Sequence, residues 1–136
     1  MAETVRLDPV ADAREIEVLL AGMQELLRGE RAVFLATQGE DGYPDIRAML
    51  NLRNPALYPR LVPLFADHAH DMMLLFTTNT HSVKHAQIVR DPCVSVYVCR
   101  DTQFHGLRFM GAMEIVGDAH NVASAVETCR RVKPQV

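Results

Sequence analysis

The sequence predicts a mainly β domain with flanking helices, folded as a small antiparallel barrel. Three observations carry this. Short apolar runs of strand length recur through the middle of the chain, bounded by turn residues. Helical periodicity is confined to the two ends and one short central segment. The strands also follow one another with few helices between them, whereas a doubly wound parallel sheet needs a helix after nearly every strand. Five or six such strands suit a small barrel. The 136 residues are one domain's worth of chain. Residues 1–136 divide into an N-terminal helix near 8–28, a barrel near 32–116 and a C-terminal helix near 118–131.

Asp8-Pro9 reads as a helix start, an N-cap followed by Pro at the first helical position. Asp12 and Glu15 offer a second start, of capping-box type, four residues later. Ile16, Leu19, Leu20, Met23, Leu26 and Leu27 form one apolar stripe at helical spacing. Gly29 is placed to end the helix in a left-handed cap. Ala32–Gln38 and Tyr43–Arg53 then predict a β-hairpin around the turn Gly39-Glu40-Asp41-Gly42. In the second strand Ile46, Ala48, Leu50 and Leu52 share one face, and Arg47, Met49, Asn51 and Arg53 the other. Residues 54–71 hold Pro55, Pro59 and Pro63 and read as an irregular connection, either an excursion with a purpose or a short helix. Met72–Thr78 predicts a third strand. Thr80–Arg90 predicts a short helix, stopped by Asp91-Pro92. Cys93–Cys99 and Phe104–Val116 complete the strands, with Leu107, Phe109, Gly111, Met113 and Ile115 on one face of the last. Asp118 caps a final helix to Arg131.

Composition excludes several classes. Hydrophobic residues are 49% and charged residues 23%, which excludes long disorder. No apolar run reaches the roughly 18–20 residues of a membrane span. The first eight residues carry two acids and no apolar segment, unlike a secretory signal. A net charge of −3 argues against a nucleic-acid partner. Cys93, Cys99 and Cys129 show no metal-ligand spacing and read as free thiols in a reducing cytoplasm. Cys93 and Cys99 share a strand face but lie too far apart to bridge.

The chemistry-bearing stretch is Phe76-Thr77-Thr78-Asn79-Thr80-His81-Ser82-Val83-Lys84. A strand ends in hydroxyls, and a helix then opens near Ser82 and Lys84. Free N–H groups, the positive end of the helix dipole, a hydroxyl and an ammonium are what a phosphate dianion needs. Arg47, on the hairpin strand, offers a bidentate guanidinium. The plainer alternative has Thr80 merely capping the helix and Lys84 solvated, and on spacing alone that arrangement is the commoner one.

The order of the segments adds to this. Leu35-Ala36-Thr37, Asp41-Gly42-Tyr43-Pro44, Arg47-Ala48-Met49-Leu50, residues 76–84, His85-Ala86-Gln87-Ile88, Asp91-Pro92-Cys93-Val94-Ser95 and residues 111–116 follow one another at familiar spacing. From Ala32 to Val116 the chain resembles the pyridoxamine 5′-phosphate oxidase-like family of FMN-binding split barrels, and most closely its short, general-stress-protein-like branch. The resemblance implies a six-stranded antiparallel split β-barrel and a homodimer with FMN at two sites in its interface. It assigns Arg47 to the flavin phosphate or its neighbourhood. Ala48, Met49 and Leu50 lie beside the isoalloxazine ring, and Thr77 and Thr78 beside the ribityl-phosphate. The resemblance also matches Ser82 and Lys84 to the family's phosphate ligands. Since the flavin carries the redox chemistry, no side chain is assigned as catalytic.

Departures limit what is carried over. Oxidase members have a second basic residue where this chain has Val83, and a ring-contacting glutamine where it has Gly106. Their C-terminal Arg- and His-bearing substrate segment has no counterpart before Val136. The expectation is therefore a cytoplasmic FMN-dependent oxidoreductase of unknown substrate, not a vitamin B6 oxidase. The alternative is a non-enzymatic flavin- or haem-binding sensing module on the same barrel. A deazaflavin reductase would call for a wider basic groove than Arg47 and Lys84 provide. Asp67-His68-Ala69-His70-Asp71 and the pair His81 and His85 hold metal-ligand residue types. Neither completes a zinc set, and the reading assigns no metal. The seven Met read as adaptable core or interface filler. The Ser residues lack a nucleophile-elbow context, which disfavours a hydrolase.

Overall fold

A computed structural model describes residues 13–69 and 72–116. The predicted first turn at Asp8-Pro9, the C-terminal helix and Cys129 lie outside these residues.

The described elements, in order, begin with α1 (Ala13–Gly29), β1 (Ala32–Gln38) and β2 (Pro44–Leu50). A short helical turn at Pro59–Leu61 leads into α2 (Val62–Ala66). Then come α3 (Val83–Arg90), β3 (Cys93–Arg100), a second tight turn at Asp101–Gln103 and β4 (His105–Ala112). The strands form one antiparallel sheet in the order β2-β1-β3-β4. Among the described residues this is a four-stranded open sheet, where the sequence reading expected a closed six-stranded barrel.

The hairpin forms where the turn residues place it. Gly42 adopts φ 85°, a left-handed conformation that favours glycine. The Gly39 N–H donates to the Tyr43 carbonyl at 2.9 Å, and Asp41 accepts from the Tyr43 N–H at 3.1 Å. Leu35 then pairs with Arg47, and Thr37 with Asp45. The strand ends at Leu50, three residues before the predicted end. Buried Asn51 and Asn54 explain the stop. The Asn51 amide donates to the carbonyls of Leu27 and Glu30, and Asn54 donates to Glu30 as well. The chain is thereby turned around the end of α1.

The core lies on one face of the sheet. Leu27 of α1 packs with Val33 and Leu35 of β1 and Val96 and Val98 of β3. The predicted stripe of α1 does face the body, though only Leu27 is fully buried. Gly29 does not take a left-handed conformation. Its role is close approach, because a Cβ there would stand 2.8 Å from the Arg100 guanidinium.

Residues 54–68 are not irregular throughout. Pro59 sits in the first turn of its short helix and Pro63 in the first turn of α2, where a missing N–H costs nothing. Leu52, Tyr58, Leu61 and Phe65 make a second small core. Met72–Thr78 was predicted as a strand but pairs with no strand of the described sheet. Its alternation is nevertheless real. Leu74 and Phe76 pack on the main core, and Met73 and Leu75 on the second. The segment is an extended wall between two cores, which produces the period of a strand without its ladder. Arg53 fixes it to the insert. Its Nε donates to the Met73 carbonyl at 2.6 Å, and its guanidinium carbon lies 4.8 Å from the centre of the Phe65 ring.

Candidate flavin phosphate site

The extended wall delivers Thr77 and Thr78 to the start of α3. That helix begins at Val83, three residues later than predicted, because Ser82 and not Thr80 is the N-cap. Ser82 has extended backbone angles, and its Oγ accepts from the His85 N–H at 3.2 Å. The Thr78 hydroxyl lies 2.9 Å from the same oxygen. The opening N–H groups of a helix have no acceptor inside it. That of His85 is taken by Ser82, which leaves those of Val83 and Lys84. Lys84 is half-buried and makes no hydrogen bond or ion pair among the described residues. Two hydroxyls and two backbone donors therefore gather at one turn of chain, and Lys84 belongs to the same turn. Thr77 stands beside them in sequence and is half-buried.

Arg47 lies on the inner face of β2, and its side chain is 24% exposed. It points toward α3 but is already engaged. One terminal nitrogen donates to Thr37 Oγ1 at 2.6 Å and the other to Gln87 Oε1 at 3.1 Å. Thr37 donates in turn to Gln87 Oε1 at 2.6 Å, and Gln87 Nε2 donates to Asp45 Oδ2 at 2.5 Å. The carboxylate of Asp45 stands 3.9 Å from Arg47. Thr37 and Gln87 are buried, and all of these donors and acceptors find partners.

Gln87 was not among the sequence-predicted residues. It lies within the segment His85-Ala86-Gln87-Ile88, which gave no role to its side chain. Its spacing of three from Lys84 places both on one helix face. Arg47 touches Gln87, so Arg47 and Lys84 bear on the same side of α3.

The remaining predicted residues divide between two faces. Met49 follows Arg47 inward and packs on the core. Ala48 and Leu50 turn outward. β2 is an edge strand, so one row of its backbone N–H and C=O groups is unpaired in the described sheet. The outward face is strongly apolar. Ala48, Phe34, Tyr97 and Arg108 form one row across the four strands, and Ile46, Ala36, Ser95 and Met110 the next. Ile46 is 69% exposed and Met110 70%. Gly106 lies on this face under Tyr97, where a Cβ would meet the phenol oxygen at 2.2 Å. The ring of Tyr97 thus fills the space beside Gly106.

The histidines form no common site. His81 is exposed, His85 half-buried, and His70 and Asp71 lie outside the described residues. Among the described residues no group of three or more His, Cys, Asp or Glu is placed to hold a metal ion. No described helix is long and apolar enough to cross a membrane.

Comparison with known proteins gives consistent results. No curated protein matches the chain. A crystal structure of a protein related to general stress protein 26 of B. subtilis, of the pyridoxinephosphate oxidase family, from Clostridium acetobutylicum, is similar in fold. It is 26% identical with a TM-score of 0.60, over 80% of this chain and 67% of the other. The conserved hypothetical protein Rv2991 of Mycobacterium tuberculosis shares the fold at 24% identity and a TM-score of 0.55, over 98% of this chain and 72% of that one. The family model for pyridoxamine 5′-phosphate oxidase matches residues 19–133. A match over that much of the sequence, on a sheet and helix arranged like those of the Clostridium protein, places the chain in the pyridoxamine 5′-phosphate oxidase family.

Proposed function

We propose that the protein is an FMN-dependent oxidoreductase that works as a homodimer. The observation that carries the reading is the first turn of α3. Ser82, Thr78 and the unpaired Lys84 there match a phosphate dianion in charge and in donors. Thr77 stands beside the ribityl end, and Arg47 adds a second positive charge on the same side of the helix. Residues 48–50 offer the free backbone row of an edge strand to the ring, with the side chain of Met49 turned to the core. The donor set fits FMN and needs no metal. When bound, the flavin would supply electron or hydride transfer at its ring. The chain's own residues bind the phosphate, orient the ring and limit access to it.

The homodimer follows from the outer sheet face. An antiparallel sheet usually shows water a polar face when its other face packs on a core. Here Phe34, Ile46, Leu50, Tyr97 and Met110 lie together on the outside. A patch of this kind marks an interface. A second copy of the chain covers it in this reading and brings its own residues toward the ring.

The test is an FMN titration of the purified protein followed by flavin fluorescence and visible absorption. The sequence has no Trp, so a bound chromophore dominates the near-ultraviolet and visible spectrum. Tight FMN binding with a bleachable flavin band is expected. Lys84→Ala removes one charged hydrogen bond, about 1.5–3 kcal/mol, and so weakens FMN roughly 10- to 150-fold. A colourless protein that takes up no FMN refutes the reading. A haem band would instead support the sensing module.

A further inference from the structure

We propose that Gln87 is a positioning residue that holds Arg47 ready for the ligand phosphate through a neutral amide. This inference rests on the FMN reading and adds to it a residue and a role.

The geometry around Gln87 is closed on every polar atom. Its Oε1 accepts from Thr37 at 2.6 Å and from Arg47 at 3.1 Å. Its Nε2 donates to Asp45 at 2.5 Å. Asp45 accepts only as a carboxylate, so the amide is fixed the right way round, with oxygen toward Arg47. The residue is buried, 5% exposed, and lies one helical turn after Lys84. A packed, hydrogen-bonded support of this kind removes the freedom of a long side chain before a ligand arrives.

The choice of amide over acid also matters. A guanidinium can be held equally well by glutamate, through a charged pair. That pair would cancel the charge that draws a phosphate. Asp45 pairs with Arg47 only at 3.9 Å, and the same oxygen accepts from Gln87. The direct hydrogen bonds of Arg47 go to neutral oxygens, those of Leu35, Thr37 and Gln87.

The experiment compares FMN with riboflavin, which lacks the phosphate, on the full-length protein. Dissociation constants come from flavin fluorescence, with melting temperature measured beside them. Gln87→Leu should raise the FMN constant about tenfold and leave riboflavin within twofold. Gln87→Glu keeps the shape and the acceptor oxygens but adds a carboxylate, and should raise the FMN constant further. It also carries the test alone should the leucine variant fail to fold. A merely structural role is separated by the Arg47→Met background, in which Gln87→Leu should not alter FMN affinity again. Loss of FMN and riboflavin binding in parallel overturns the inference, as does an undiminished effect in that background. If Arg47→Met and Lys84→Ala weaken FMN but Gln87→Leu and Gln87→Glu do not, the positioning role fails and the FMN site stands. If the wild-type protein binds FMN no better than riboflavin, the phosphate site itself fails, and the role of Gln87 with it.

Discussion

Replacing Ile46 with lysine puts a charge on the outer sheet face without touching the core. Ile46 sits on edge strand β2 opposite Ala36, in the row that ends at Met110. It is 69% exposed in the isolated chain, so the monomer loses little by the change. An edge position tolerates lysine well, and the cost to the monomer should stay below about 1 kcal/mol. In the dimer the loss is much larger. Covering an isoleucine side chain contributes about 1.5–3 kcal/mol, and a two-fold interface uses it twice. The lost term is then about 3–6 kcal/mol, before any desolvation of the ammonium. At 1.4 kcal/mol per tenfold, the dimer constant rises by roughly 10²- to 10⁴-fold. Analytical ultracentrifugation across a dilution series reads this directly, with thermal melting to confirm an intact fold. Val18→Lys is the control, since Val18 is 67% exposed on α1 and off the sheet. It should leave association unchanged. A wild-type monomer, or an Ile46→Lys protein that associates like wild type, refutes the assignment of this face.

Other changes probe the site and the cores separately. Ser82→Ala removes the cap that accepts from the His85 N–H and should lower stability by about 1 kcal/mol in chemical denaturation. Ser82→Asp keeps a cap and should hold that stability, yet it should abolish the preference for FMN over riboflavin by repelling the phosphate. Leu61→Ala empties a fully buried position in the second core and should cost about 2–5 kcal/mol, read from the urea midpoint. Gly106→Ala brings a methyl onto the Tyr97 ring and should cost about 1–3 kcal/mol. Adding Tyr97→Ala should remove that penalty, so that the double variant is no less stable than Tyr97→Ala alone.

The elements that sequence reading located best are those with local punctuation. The β1–β2 hairpin was legible in Gly39 and Gly42, and the end of α3 in Asp91-Pro92. Two other features misled it or left it undecided, for physical reasons. Alternation in Met72–Thr78 reports two buried sides, and it reads the same whether the sides belong to a sheet or to a wall between two cores. Prolines argue against helix in general, but Pro59 and Pro63 occupy first turns, where the objection lapses. Gly29 shows the same limit. A glycine after a helical stripe reads as a cap, while the close approach of Arg100 comes from the far end of β3 and leaves no local trace.

The cluster at the start of α3 was legible because Thr78, Ser82 and Lys84 lie within seven consecutive positions. The support around Arg47 was not. Thr37, Asp45 and Gln87 come from two strands and a helix, and only the folded chain brings them together.

The wall between the two cores has a consequence for how the insert can vary. Met73 and Leu75 are covered by the insert, while Leu74 and Phe76 on the same backbone support the main core. Excising the loop from Pro55 to Ala66 would therefore do more than shorten a surface excursion. It would bare one side of the strip of chain that ends in Thr77 and Thr78, and the lost grip would be felt at the start of α3. Length changes there should be tolerated only when residues 73 and 75 turn polar in step, so that insert and wall drift together as one unit of sequence change.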